Sequence, residues 1–165
     1  MSCGNIGLES QPYRCRLNIR LATASDLPTL VIFGRHFYEH TLFRQWITYS
    51  EAGAEANFVQ MIDNGMLFCA VVDDRVVGTI GAIIGPCLIN TDYGMAAELF
   101  WWVEPEFRRS GAGDQLMDAI EAEAKSRGIT FFSMVALEGG TVEQAGRIYE
   151  KRGYIPMERV WLKVL

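Results

Sequence analysis

The sequence predicts an α/β sandwich, a mixed sheet with helices on both faces. Three observations carry that prediction. Helix-period and strand-period stretches alternate along the chain with no linker, repeat or low-complexity tract between them. The 165 residues suit one domain, long enough to bury roughly two thirds of its unfolded surface. With 50% hydrophobic and 21% charged residues, the composition is globular rather than disordered.

Residues 1–13 read as a loose N-terminal arm, and residues 14–165 as the domain. "CRLNIRLA" alternates as a strand. "TASDLPTLVIFGRHFYEHT" follows as a helix, with Thr23 or Ser25 available as N-cap and Pro28 tolerated in the first turn. A second helix, "SEAGAEANFVQMIDNG", ends at Gly65. "MLFCAVV" and "RVVGTIGAII" are β-rich runs joined at "DDR", a hairpin connection, and "AAELFWWVEP" is a further strand. A helix over residues 113–127 stops at Gly128, and "ITFFSMVAL" reads as a buried strand. "TVEQAGRIYEKRG" reads as a helix, opened by a capping box of Thr141 and Gln144, and "YIPMERVWLKVL" as one or two closing strands.

The net charge of -5 argues against a nucleic-acid-binding surface, which needs clustered Lys and Arg. No apolar run has the roughly 20 residues of a membrane span, and the start of the chain lacks the apolar core of a signal peptide, so a cytoplasmic protein is expected. Cys3, Cys15, Cys69 and Cys87 show no C-x-x-C spacing and are expected as free thiols.

The stretch "EPEFRRSGAGDQLMDAIEAEA" combines a proline turn, two arginines and a glycine pair at the start of a helix. Gly111 and Gly113 let backbone approach a ligand closely, while the first N–H groups of the helix and its positive dipole end converge on the same place. That is an anion site, most naturally for phosphate, with Arg108 and Arg109 as added donors. Neither a Walker loop nor a complete dinucleotide fingerprint is present.

"VEPEFRRSGAG" resembles the V-x-P-x-x-[RQ]-x-x-G-x-[GA] signature of the GNAT superfamily of acyl-CoA-dependent N-acyltransferases. "IRLATASDLPTL" is similar to that family's opening strand and helix, and "AGRIYEKRGY" to its closing A-x-x-x-Y-x-x-x-G-[FY] helix, so the resemblance covers residues 17–165. It implies a mixed, mostly antiparallel central sheet with helices on both faces. It also implies acetyl-CoA as cosubstrate, with no metal. The coenzyme A pyrophosphate would then lie on the backbone of Arg108, Arg109, Ser110, Gly111, Ala112 and Gly113. The pantetheine arm would pair with the main chain of Trp101, Trp102 and Val103, and the acyl group would sit in a gap between that strand and "ITFFSMVAL".

Acyl transfer to an amine then asks for a base and an acid. A lysine-like amine with a pKa of about 10.4 is almost wholly protonated near neutrality, so a carboxylate of raised pKa is suited to accept its proton. Glu98, among apolar and aromatic neighbours, resembles the strand glutamate that serves some family members; Glu104 and water chains compete. Glu98 stands five residues before Val103, whereas the family glutamate is usually one further away. A one-residue offset reverses the face of a strand unless a bulge intervenes. Tyr149 matches the family's general-acid tyrosine, although Ala145, Ile148 and Tyr149 also form an apolar stripe. Val142 stands where the family often has Asn, and Asp114 brings a carboxylate to the anion site.

Two further readings remain in play. "HFYEH" spells the H-x-x-E-H pattern of inverted zinc peptidases through His36, Glu39 and His40, but these are the only two histidines in the chain. A catalytically silent acyl-CoA-binding module could also retain the glycine turn. The expectation is an N-acetyltransferase that binds acetyl-CoA and a small-molecule or peptide amine together, as a monomer or homodimer, with no nucleic acid or membrane partner. Phe37, Tyr38, Phe43, Trp46, Tyr49, Trp101 and Trp102 make an aromatic-rich half of the molecule, of which the larger part is expected in the core rather than in an acceptor pocket.

Overall fold

Within residues 16–137 and 142–165, which the computed structural model describes, the expected elements follow in the expected order up to the last one. The expected arm, Cys3 and Cys15, and Thr141 of the expected capping box lie outside the described residues. The elements are β1 (Leu17–Leu21), α1 (Leu27–Glu39), α2 (Glu51–Asn64), β2 (Met66–Val72), β3 (Arg75–Pro86), β4 (Gly94–Val103), α3 (Ala112–Ser126), β5 (Ile129–Ser133) and α4 (Val142–Lys151).

The strands lie in sequence order across one sheet. The first three pairings are antiparallel, and β4 with β5 is parallel. The β2–β3 turn uses two residues, Asp73 and Asp74, both with positive φ (47° and 64°). That backbone matches the twist of the strands it joins, and aspartate tolerates it better than most residues. α1 opens through a 3₁₀ turn over Ala24–Asp26 with Thr23 as its N-cap, and Arg20 grips the buried Asp26 with two bonds of 2.7 and 2.8 Å.

The two faces of the sheet carry different cores. On one, α3 buries Leu116, Met117, Ile120 and Ala124, spaced to fall on one side of a helix, against Ala82, Ala96 and Val103, and Tyr149 of α4 joins them. On the other, Leu30 and Phe33 of α1 and Phe58 and Met61 of α2 pack on Leu67, Cys69, Phe100 and Trp102. Cys69 is buried and free, and burial pushes its thiol up to about 12, so it behaves as a small apolar side chain. No described helix is long and apolar enough to cross a membrane.

The closing strands expected over residues 154–165 do not form; that segment carries no regular secondary structure. Its alternation is genuine, yet Ile155, Met157, Val160, Trp161 and Leu162 are all well exposed, so neither face is buried. Pro156 supplies no ladder donor, and no described strand lies beside the outer edge of β5. Alternation directs side chains to two sides, but a strand also needs a neighbour to pair with.

Candidate active site

β4 carries an irregularity that matters for the site. Its pairing with β3 jumps between Gly81 and Ala82: Gly81 opposes Phe100, while Ala82 opposes Glu98, leaving Leu99 as an extra residue. Strict alternation would put Glu98 on the side of Phe100 and Trp102. The bulge at Leu99 turns it to the side of Trp101 and Val103, where α3 and α4 pack.

β5 accompanies β4 only from Gly94↔Ile129 to Ala97↔Ser133. Residues 98–103 therefore have no strand on that edge among the described residues, and Glu98 stands where the two strands part. Its Oε2 accepts the Val135 N–H at 3.1 Å across the gap. Glu98 is 6% exposed. Burial pushes its carboxyl up to about 7, with the Val135 hydrogen bond opposing part of the rise. Tyr149, buried on the same side, donates its hydroxyl to Val135 O at 3.0 Å. Burial, and after it the charge of Glu98, raises its pKa above that of an ordinary tyrosine, so it keeps its proton at neutral pH.

The glycine turn lies at the far end of β4. Glu104 and a 3₁₀ turn over Pro105–Phe107 lead into Gly111, whose φ of 85° is left-handed and which caps α3. Gln115 N–H is the first to bond back, to Gly111 O. The N–H groups of Arg109, Gly111, Gly113 and Asp114 have no partner among the described residues. A methyl group on Gly113 would come 3.3 Å from Cζ2 of Trp101, so the helix start sits tight against that indole. Trp101 Nε1 is itself buried without a partner, and its ring lies 6.1 Å from that of Tyr149.

Other side chains near the turn are already engaged. Arg108 donates Nε to Val103 O at 3.1 Å and stacks 5.0 Å over Trp102, on the opposite face from Trp101. Ser110 donates Oγ to Phe107 O and accepts from Ala112 N–H, while Arg109 is exposed. Glu104 is buried and meets His36 Nδ1 at 3.0 Å, beside a cleft lined by Arg20, Asp26, Asp74 and Arg75. It follows Glu98 by six residues, roughly 20 Å along an extended chain, so the two carboxylates cannot serve one carbonyl carbon. His40 Nδ1 lies 2.7 Å from His36 O. No group of three or more His, Cys, Asp or Glu among the described residues is disposed to hold a metal ion.

A cavity of about 340 Å³ opens between α1, α2 and β4. Leu99 and Phe100, the two residues that follow Glu98, form one wall of it. Two parts of this arrangement escape the sequence. Val135 acts through its main chain, which no residue type advertises. Leu99 acts as the extra residue of a bulge, and only the glycine at the step in the facing strand, Gly81, hints at one.

Residues 30–154 match the model of the Acetyltransferase (GNAT) family. No curated protein sequence matches the chain. Among solved structures, the fold is similar to that of a transcriptional regulator from Bacillus halodurans C-125, with 21% identity, 91% of this chain and 100% of that chain covered, and a TM-score of 0.73. It is also similar to the aminoglycoside N-acetyltransferase AAC(6')-Iy in complex with CoA, at 16% identity, 94% and 98% coverage and a TM-score of 0.72. A predicted acetyltransferase with acetyl-CoA from Clostridium acetobutylicum gives 20% identity, 91% and 96% coverage and a TM-score of 0.69.

Proposed function

The chain belongs to the acetyltransferase (GNAT) family, and on that premise we propose that it moves an acetyl group from acetyl-CoA to a primary amine by direct attack, both substrates being bound together. The observation that carries this reading is the bulge at Leu99. It brings a carboxylate poised near neutrality and a protonated tyrosine to the same side of the parting between β4 and β5.

The features around the turn suit coenzyme A. Four unpartnered N–H groups can receive the pyrophosphate oxygens: Arg109, Gly111 and Gly113 of the expected set, and Asp114 just beyond it; the N–H groups of Arg108, Ser110 and Ala112 are already engaged within the turn. Arg109 is free to add charge, whereas the Arg108 guanidinium already binds Val103 O and its backbone N–H already donates to Pro105 O. The free edge of β4 over Trp101, Trp102 and Val103 can pair with the amide groups of the pantetheine arm. The orphan Trp101 indole N–H, against the glycine helix start, offers a further donor.

The thioester supplies an activated acetyl carbon. Glu98, ionised as the pH passes about 7, takes a proton from the amine nitrogen as the N–C bond forms. A β4 N–H on the free edge stabilises the oxyanion that develops on the thioester oxygen. As the C–S bond breaks, Tyr149 exchanges its bond to Val135 O for one to sulfur and gives the thiolate its proton. The products are an N-acetyl amine and coenzyme A thiol, and solvent returns Glu98 and Tyr149 to their starting protonation. The mechanism calls for no metal, and the composition suits a cytoplasmic enzyme, monomeric or dimeric. Amine-dependent release of thiol from acetyl-CoA tests the reading; calorimetric binding of acetyl-CoA without turnover across a broad amine panel would leave only a binding module.

A further inference from the structure

We infer that His36 of α1 is a positioning residue for the pyrophosphate cradle: it holds the buried Glu104 carboxylate, and through Glu104 it fixes the start of the glycine turn. The ligand rests on the acetyltransferase reading, whereas the hold itself rests on the contacts of the turn.

The H-x-x-E-H letters of α1 are not spent on a metal, because their three side chains have different surroundings. Glu39 is exposed. His40 brings Nδ1 to 2.7 Å from the His36 carbonyl oxygen and sets its ring 5.2 Å from that of Trp102. His36 follows the buried Phe33 by one helical turn and brings Nδ1 to 3.0 Å from Glu104 Oε1. An ionised carboxylate only accepts, so this bond calls for the proton on Nδ1.

Glu104 is 8% exposed, and His36 is its only side-chain hydrogen-bond partner among the described residues. Its main chain is a junction. The Glu104 N–H donates to Val77 O at 2.9 Å, which ties it to β3, and its C=O accepts the Phe107 N–H at 2.9 Å, which opens the turn. From there the bonds run on. Phe107 O accepts from both the N–H and the hydroxyl of Ser110, and Ser110 Oγ accepts the Ala112 N–H at the head of α3. The unpartnered N–H groups of Arg109, Gly111 and Gly113 are interleaved with these fixed points, so their aim depends on where the relay begins.

The same region of α1 also backs the first arginine of the turn. The His36 ring lies 6.1 Å from that of Trp102, the indole over which Arg108 stacks. Without the His36 donor, Glu104 becomes a buried carboxylate with no partner, which is strongly unfavourable. Its nearest relief is water. The cleft of about 490 Å³ that it lines with Arg20, Asp74 and Arg75 supplies that water, and a carboxylate turning into it draws the origin of the relay along.

The test uses the full chain and two substitutions that separate the bond from the packing. His36→Phe keeps a ring against Trp102 and loses the donor; His36→Asn loses the ring and keeps an N–H close to the place of Nδ1. Calorimetry measures the affinity of each for coenzyme A and for pantetheine, which has the arm and thiol but neither pyrophosphate nor nucleotide. His36→Phe should weaken coenzyme A binding about tenfold and pantetheine binding less than about twofold. His36→Asn should recover coenzyme A to within about threefold of wild type. Equal losses with both ligands, a loss in His36→Asn as large as in His36→Phe, or no loss at all would overturn the inference. If His36→Phe does not fold, His36→Ala takes its place with the same expected outcome. A wild type that binds coenzyme A no more tightly than pantetheine would sink the pyrophosphate reading of the turn and the inference with it; a clear preference for coenzyme A that ignores the His36 substitutions sinks the inference alone.

Discussion

Glu98 and Tyr149 share one anchor: the carboxylate accepts the N–H of Val135, and the hydroxyl donates to its C=O. A single peptide segment beyond β5 thus fixes the distance between the candidate base and the candidate acid. It also leaves each with a partner that a substrate group can replace.

Glu98→Gln should lower kcat/KM about 100-fold at pH 8. In the wild type, kcat/KM should rise with pH through about 7 as the carboxyl loses its proton, since only the charged form accepts one. The variant should lack that limb. A pH–rate profile measured at subsaturating amine checks both, and an unchanged limb would move the base elsewhere.

The same group has a signature in stability. Glu98 holds its proton more tightly in the folded protein than in the unfolded chain, where a glutamate carboxyl has its ordinary value of 4.5. Its contribution is therefore fully favourable below about pH 4.5 and is lost as pH rises through about 7. Glu98→Gln escapes that loss. Its melting temperature relative to wild type should climb between pH 5 and pH 8, by an equivalent of at most about 3 kcal/mol. A difference that stays flat with pH contradicts the buried carboxylate.

Tyr149→Phe removes the proton donor and the bond to Val135 O but keeps the ring beside Trp101. Turnover should fall about 100-fold, acetyl-CoA affinity should hold, and stability should drop by about 1 kcal/mol. Single-turnover kinetics together with calorimetry separate these effects; a loss confined to cofactor affinity would give Tyr149 a binding role only.

Gly111→Ala meets no steric obstacle, its nearest neighbour being Gln115 Nε2 at 3.8 Å, but it forces a side chain onto a φ of 85°. The strain costs about 1 kcal/mol if the turn keeps its shape. If the turn relaxes instead, an N–H is lost from the pyrophosphate cradle and acetyl-CoA affinity falls about tenfold. Thermal unfolding and calorimetric titration distinguish the two; no change in either would remove Gly111 from the site.

Much of this was legible in the letters because it is local. The capped start of α3 at Gly111, the aspartate turn between β2 and β3 and the stripes of α1 and α3 each need only a few adjacent residues. The face of Glu98 was not legible, because a bulge is a property of two strands: Leu99 is extra only in relation to Gly81 and Ala82. Residues 154–165 failed for the same kind of reason, their alternation saying nothing about whether an edge is there to receive them. Arg108, counted as a phosphate donor, turns to Val103 O and Trp102, a choice made by the tertiary surroundings.

The extra residue in β4 also gives the strand a parity. Deleting Leu99, or inserting one residue anywhere between it and Glu98, would swing the carboxylate through the sheet to the opposite layer while leaving composition, hydropathy and helix packing almost untouched. Transplanting Ala96–Val103 into another scaffold would therefore have to bring the Gly81–Ala82 step along, since half of the instruction is written in the neighbouring strand.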